Sequence, residues 1–87
     1  MRESSERVTV YGADSCGVSR AAMAHLDELG VPYAYVDIER DPEAAAWVRE
    51  RNRGLEIKPT IDIGGEVLSA PADHVLDGAL ASHGLTG

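Results

Sequence analysis

Two residues, Gly64 and Gly65, separate the runs Thr60-Ile61-Asp62-Ile63 and Glu66-Val67-Leu68. A gap that short closes only an antiparallel hairpin, and paired glycines reach the positive φ angles such a turn demands. Upstream the spacing differs. Residues 7–11, Arg-Val-Thr-Val-Tyr, alternate polar with β-branched or aromatic side chains and stop at Gly12, and residues 33–38, Tyr-Ala-Tyr-Val-Asp-Ile, form a second such run. The segment between them is long enough to hold a helix, so these two strands are expected to be parallel with a right-handed crossover. One sheet must therefore carry both kinds of pairing.

Three helical patterns lie around the strands. Val18, Ala22, Leu26 and Leu29 recur at helical spacing up to Gly30 and Pro32, which predicts an amphipathic helix beginning near Cys16. Asp41-Pro42-Glu43 places a capping carboxylate before a proline suited to a first helical turn, and a helix is expected from Pro42 to Asn52, with Ala44, Trp47 and Val48 as its apolar stripe. Arg49, Arg51 and Arg53 suit the negative end of its dipole, and Gly54 stops it. Pro71 to about His83, with Val75, Leu76, Ala79 and Leu80 on one side, closes the chain as a third helix. The order strand, helix, strand, helix, strand, strand, helix gives a four-stranded mixed sheet with helices on both faces, a three-layer α/β sandwich. With 87 residues, 44% of them hydrophobic, there is material for one core, so a single domain over 1–87 is expected, with residues 1–6 as a disordered or extended head.

Charge narrows the function. Eight basic against fifteen acidic residues leave a net charge of −7, which argues against a nucleic-acid surface and against binding to anionic membranes. Met1-Arg2-Glu3-Ser4-Ser5-Glu6 lacks the apolar run of a signal peptide, and no segment reaches the roughly 20 apolar residues of a membrane span, so a cytoplasmic location is expected. His25, His74 and His83 are read as surface histidines and Trp47 as core packing. No phosphate-binding glycine loop or Ser-His-Asp order is present.

The chemistry concentrates on one atom. Cys16 is the only cysteine, which excludes an internal disulfide and a metal site of several thiolates from one chain. It stands where a strand gives way to a helix, and there unsatisfied N–H groups and the helix dipole favour a thiolate. In Cys16-Gly17-Val18-Ser19 a hydroxyl takes the place of a second thiol. Ser19 can donate a hydrogen bond to the sulfur but cannot attack a mixed disulfide, so any exchange needs an outside thiol. Arg20 favours the thiolate if it turns back, Asp14 opposes it, and the balance is open at this level. Lys58-Pro59-Thr60 puts a proline at the first position of a strand, which by itself marks only a strand start.

Taken together, Val8-Thr9-Val10-Tyr11, Cys16-Gly17-Val18-Ser19, Leu26-Asp27-Glu28-Leu29-Gly30-Val31-Pro32-Tyr33, Val36-Asp37-Ile38, Pro59-Thr60-Ile61 and Gly64-Gly65 resemble the glutaredoxin branch of the thioredoxin fold. Within it the chain is most similar to the small actinobacterial mycoredoxins, through Val36-Asp37-Ile38-Glu39 followed by Ala44-Ala45-Ala46 and Trp47. The resemblance implies a thioredoxin-like sandwich with Cys16 as nucleophile and Ser19 beside it. It implies a cis Pro59 facing the sulfur, with the Lys58 backbone pairing with an extended thiol ligand. Ser69, Ala70 and the helix start at Ala72 and Asp73 would hold the far end of that ligand, and Tyr11 would be the aromatic residue that ends the first strand. Ser15, Gly17, Arg20 and Ile57 complete the implied thiol-binding set. The chain departs from the pattern at Ser19, where relatives carry a second cysteine, at Ser15, where they carry an aromatic, and at Ile57-Lys58, where they carry Thr-Val.

The activity implied is monothiol thiol–disulfide exchange by a monomer between client proteins and a low-molecular-weight thiol, mycothiol or glutathione, with no tightly bound cofactor and no metal. Two alternatives stand beside it: a [2Fe–2S] carrier in which Cys16 from two chains and two small thiols supply the ligands, and a redox-inactive thioredoxin-fold interaction domain.

Overall fold

The computed structural model describes residues 7–86, and the expected head over 1–6 lies outside the described residues. The elements follow as β1 (Val8–Gly12), α1 (Gly17–Leu29), β2 (Ala34–Asp37), α2 (Pro42–Arg51), β3 (Thr60–Ile63), β4 (Glu66–Ser69) and α3 (Asp73–Ser82). The sheet order is β2-β1-β3-β4, with β2 parallel to β1, and β3 antiparallel to both β1 and β4. The hairpin turns at Gly64 and Gly65, with φ of 57° and 100°, and the Asp62 carboxylate accepts the Gly65 N–H at 2.8 Å.

Alternation along β1 divides the interior. Val8 and Val10 point to one side and join Ile61, Ile63, Leu26, Leu76 and Leu80 in a core between the sheet and α1 with α3. Tyr11 points to the other side and stacks on Trp47 of α2 at 4.4 Å between ring centroids, beside Ile38, Ala45 and Val48. Helices thus cover both faces, in the thioredoxin-like arrangement. Trp47 is half-buried at the margin of the smaller cluster, with the Arg51 guanidinium 4.1 Å above its ring. Among the described residues no helix is long and apolar enough to cross a membrane.

The helix ends fall within one or two residues of those expected; α2 stops at Arg51 with Asn52 as its C-cap, so Arg53, at φ 57°, lies beyond the last turn. Gly30 terminates α1 in the left-handed conformation at φ 71°, and the Asp41 carboxylate caps α2 by accepting the Ala44 N–H at 3.1 Å, with Pro42 in the first turn. α3 begins at Asp73 instead of Pro71, because Ala70 at φ 44° and Ala72 at ψ 158° turn the chain into the helix.

The inward stripe of α1 differs from expectation. Val18 is 59% exposed, and Leu29 is exposed too, while Ser19 is completely buried. The true stripe is Ser19, Ala22, Met23 and Leu26. Ser19 is accepted inside because its Oγ takes the Ala13 N–H at 3.4 Å, so no polar atom is left stranded. Val75 of α3 is likewise exposed beside buried Leu76.

A buried amide links α2 to the hairpin. Asn52 Nδ2 donates to the Val48 carbonyl at 2.8 Å and to Thr60 Oγ1 at 3.2 Å, and Ser69 Oγ donates to Asn52 Oδ1. Thr60 Oγ1 in turn donates to the Ile57 carbonyl at 2.8 Å, which braces the turn leading into Pro59.

Candidate active site

β1 ends at Gly12, the chain turns through Ala13, Asp14 and Ser15, and Cys16 becomes the N-cap of α1 with extended dihedrals of −92° and 114°. The turn is closed by the Cys16 N–H on the Ala13 carbonyl at 3.0 Å, and the helix starts with the Arg20 N–H on the Cys16 carbonyl at 3.1 Å. In this position Sγ does what an N-cap oxygen does elsewhere: it accepts the Ser19 N–H, at 3.4 Å. The sulfur is part-exposed.

The site favours the thiolate. The Ser19 hydroxyl makes the largest contribution to holding the Cys16 thiol below its ordinary value, followed by the Ser19 N–H; partial burial opposes them, and the Val18 N–H and the Lys58 ammonium add to the lowering. Ser19 thus favours the thiolate through its hydroxyl and through the N–H that reaches Sγ. It can approach because Gly12 has no side chain: a Cβ there would stand 2.5 Å from Ser19 Oγ and 2.8 Å from Ser19 Cβ.

The opposing charges weighed from sequence are tied elsewhere. The Arg20 guanidinium donates to the Asp14 backbone carbonyl at 2.7 Å, arching over exposed Gly17 instead of reaching the sulfur. The Asp14 carboxylate accepts the Tyr35 hydroxyl at 2.7 Å and lies 3.7 Å from Arg40. Burial and that bond to Asp14 push the Tyr35 phenol far up.

The second wall is Ile57, Lys58 and Pro59. Tyr11 pairs with Thr60 across β1 and β3, which sets the start of β3 beside the cysteine turn. The Lys58-Pro59 peptide bond is cis, Pro59 is buried, and its carbonyl accepts the Ala70 N–H at 2.7 Å. Ile57 is half-buried with its carbonyl engaged by Thr60. Lys58 Nζ lies 3.3 Å from Glu39 Oε2, and Ser15 Oγ donates to Glu39 Oε1 at 3.5 Å. Glu39 therefore bridges the two walls. It was not among the residues singled out from sequence, where it stood only within a matched motif.

The remaining candidates are placed more loosely. The Ser69 hydroxyl is committed to Asn52. Ala72 is the N-cap of α3 with no side-chain capping bond, and Asp73 in the first turn faces His25 of α1 at 3.9 Å. The Tyr11 ring lies on the α2 side, lining a surface groove of about 360 Å³ with Val36, Asp41, Glu43, Ala44 and Trp47. Gly12 and Glu39 are the site residues that pattern reading missed; a glycine immediately before the cysteine turn was the available signal for the first. Among the described residues no group of three or more His, Cys, Asp or Glu side chains is arranged to hold a metal ion.

Comparison with known proteins agrees with this geometry. The chain is 39% identical to Mycoredoxin 1 of Corynebacterium glutamicum over 54 residues, 62% of this chain and 66% of that protein, so the match spans just under two thirds of the relative's length. In structure it resembles the glutaredoxin of Archaeoglobus fulgidus, with a TM-score of 0.77 at 18% identity over 91% of this chain and 96% of that one. It also resembles the glutaredoxin-like NrdH-redoxin of Escherichia coli, with a TM-score of 0.68 at 22% identity over 82% and 92% of the two chains. The sequence profile of the Glutaredoxin family matches residues 8–68, from the first core valine through the cysteine turn and Pro59 to β4, and the chain belongs to the glutaredoxin family.

Proposed function

We propose that the protein is a monothiol thiol–disulfide oxidoreductase acting on mixed disulfides between client proteins and a low-molecular-weight thiol, mycothiol or glutathione. The observation that carries this reading is a part-exposed Cys16 sulfur capping α1, with Ser19 and Lys58 lowering its pKa. The thiolate attacks the sulfur of the small thiol. A bond forms between Cys16 Sγ and that sulfur as the substrate disulfide breaks, and the client sulfur leaves with the electron pair and takes a proton from solvent. A second molecule of small thiol then attacks the mixed disulfide on Cys16, forming the small-thiol disulfide and returning the Cys16 thiolate. Ser19 holds the thiolate but has no sulfur with which to resolve the intermediate, so the outside thiol is obligatory. The Lys58 backbone beside Pro59 pairs with the extended ligand, and the start of α3 at Ala72 and Asp73 receives its far end.

The test is kinetic. Purified protein is expected to reduce a glutathionylated or mycothiolated peptide in the presence of the matching thiol, and Cys16→Ala to abolish turnover. Activity retained in that variant ends the proposal.

A further inference from the structure

We propose that Glu39 is a specificity-determining positioning residue: by occupying the Lys58 ammonium it denies incoming substrates the cation beside Cys16, which disfavours small thiols that carry a carboxylate against those that carry none. The inference rests on the oxidoreductase reading above.

Three cations border the cysteine turn, and each is already paired within the protein. Arg20 donates to the Asp14 carbonyl at 2.7 Å, and Arg40 lies 3.7 Å from the carboxylates of both Asp14 and Asp37. Lys58 lies 3.3 Å from Glu39. Lys58 matters most because its charge acts on the sulfur and because it directly precedes Pro59. Glu39 is held from both sides, one oxygen on Lys58 and the other on Ser15 next to the nucleophile. A substrate carboxylate seeking Lys58 must displace Glu39 and then lie beside the anion it displaced, in a protein of net charge −7. An uncharged thiol meets neither penalty. Lys58 and Glu39 have side chains 28% and 50% exposed, so solvent screens the pair and the discrimination is modest.

The experiment compares one peptide disulfide-bonded either to 3-mercaptopropionate, which bears a carboxylate, or to 2-mercaptoethanol, which is uncharged. In both, Cys16 Sγ forms a disulfide with the small-thiol sulfur and the peptide leaves as the thiolate. A change in the thiolate fraction of Cys16 scales both rates together, so the ratio of the two kcat/KM values isolates recognition. The wild type is expected to favour the mercaptoethanol conjugate at low salt. Glu39→Gln is expected to raise the relative rate on the mercaptopropionate conjugate by up to roughly fivefold, the scale of an exposed ion pair. Glu39→Asp should keep most of the wild-type preference, and Lys58→Met combined with Glu39→Gln should lose the gain. An unchanged ratio in Glu39→Gln, or a gain that survives Lys58→Met in full, overturns the assignment. Absence of Cys16-dependent turnover on both conjugates overturns the oxidoreductase reading, and this inference with it.

Discussion

Replacing Gly12 with alanine tests how tightly the nucleophile is coupled to the sheet. The added Cβ would lie 2.8 Å from Ser19 Cβ and 2.5 Å from Ser19 Oγ. The hydroxyl can rotate away, but Ser19 Cβ is fixed to the first turn of α1. Relief to an ordinary carbon–carbon separation of about 3.5 Å or more requires that turn to retreat from β1 by roughly 0.7 Å. Overpacking of this kind costs about 1–3 kcal/mol. For a domain of this size each kcal/mol moves the melting temperature by about 4–8 °C, so a fall of at least about 4 °C is expected in calorimetry, with a matching drop in the urea midpoint. Retreat of the turn also lengthens the 3.4 Å contact from the Ser19 N–H to Sγ, so the midpoint of Cys16 alkylation by iodoacetamide should move to higher pH. Ser19→Gly supplies the control: with the colliding atoms gone, adding Gly12→Ala should cost less than about 0.5 kcal/mol, giving a coupling of at least about 0.5 kcal/mol. Equal stability of Gly12→Ala and wild type, or an equal cost of the alanine in both backgrounds, would refute the steric argument.

Three further outcomes are expected. Ser19→Ala removes the largest influence holding the Cys16 thiol down, so alkylation at neutral pH should slow and its midpoint rise; an unshifted midpoint would remove the hydroxyl from the account. Asn52→Ala breaks the bonds to the Val48 carbonyl, Thr60 and Ser69 and should cost about 2–3 kcal/mol in urea unfolding, at about 1 kcal/mol for each bond lost. The third concerns His25, whose imidazole is raised above its ordinary value by the bond to Asp77 at 2.7 Å and by the charges of Asp73, Asp77 and Glu28, against weaker desolvation. A raised folded pKa means that this contribution is complete below the unfolded value of about 6.5 and disappears as pH rises through the folded one. His25→Asn should therefore lower the urea midpoint on the acid side and leave the alkaline side nearly unchanged, and a uniform offset at all pH values would contradict the link.

Local chemistry made most of the architecture legible. Asp41-Pro42 announced the start of α2 and Gly30 the end of α1, because caps are decided within a few residues. Gly64-Gly65 announced the hairpin for the same reason, and Cys16 was visible at the head of its helix. What escaped depends on partners distant along the chain. Nothing near Ser19 marks it as interior; only the absence of a side chain at Gly12 and the Ala13 N–H make a buried hydroxyl acceptable there and turn Val18 outward. Glu39 meets Lys58 across the β2–α2 and α2–β3 connections, and Asn52 meets Ser69 across the hairpin, so neither pairing has a local signature. Hydrophobic periodicity selects a face of a helix to within about one residue, and this is the margin by which Val75 was misplaced beside Leu76.

Trp47 is the only tryptophan in the chain, and it sits between the Tyr11 ring and the Arg51 guanidinium on the α2 side of the sheet, whereas the sulfur caps α1. Its fluorescence is consequently a built-in reporter of α2 docking. Titrating, alkylating or oxidising the thiol should leave the emission nearly constant, while detachment of α2 should red-shift it, so one cuvette can follow unfolding optically while thiol chemistry is read by an independent channel.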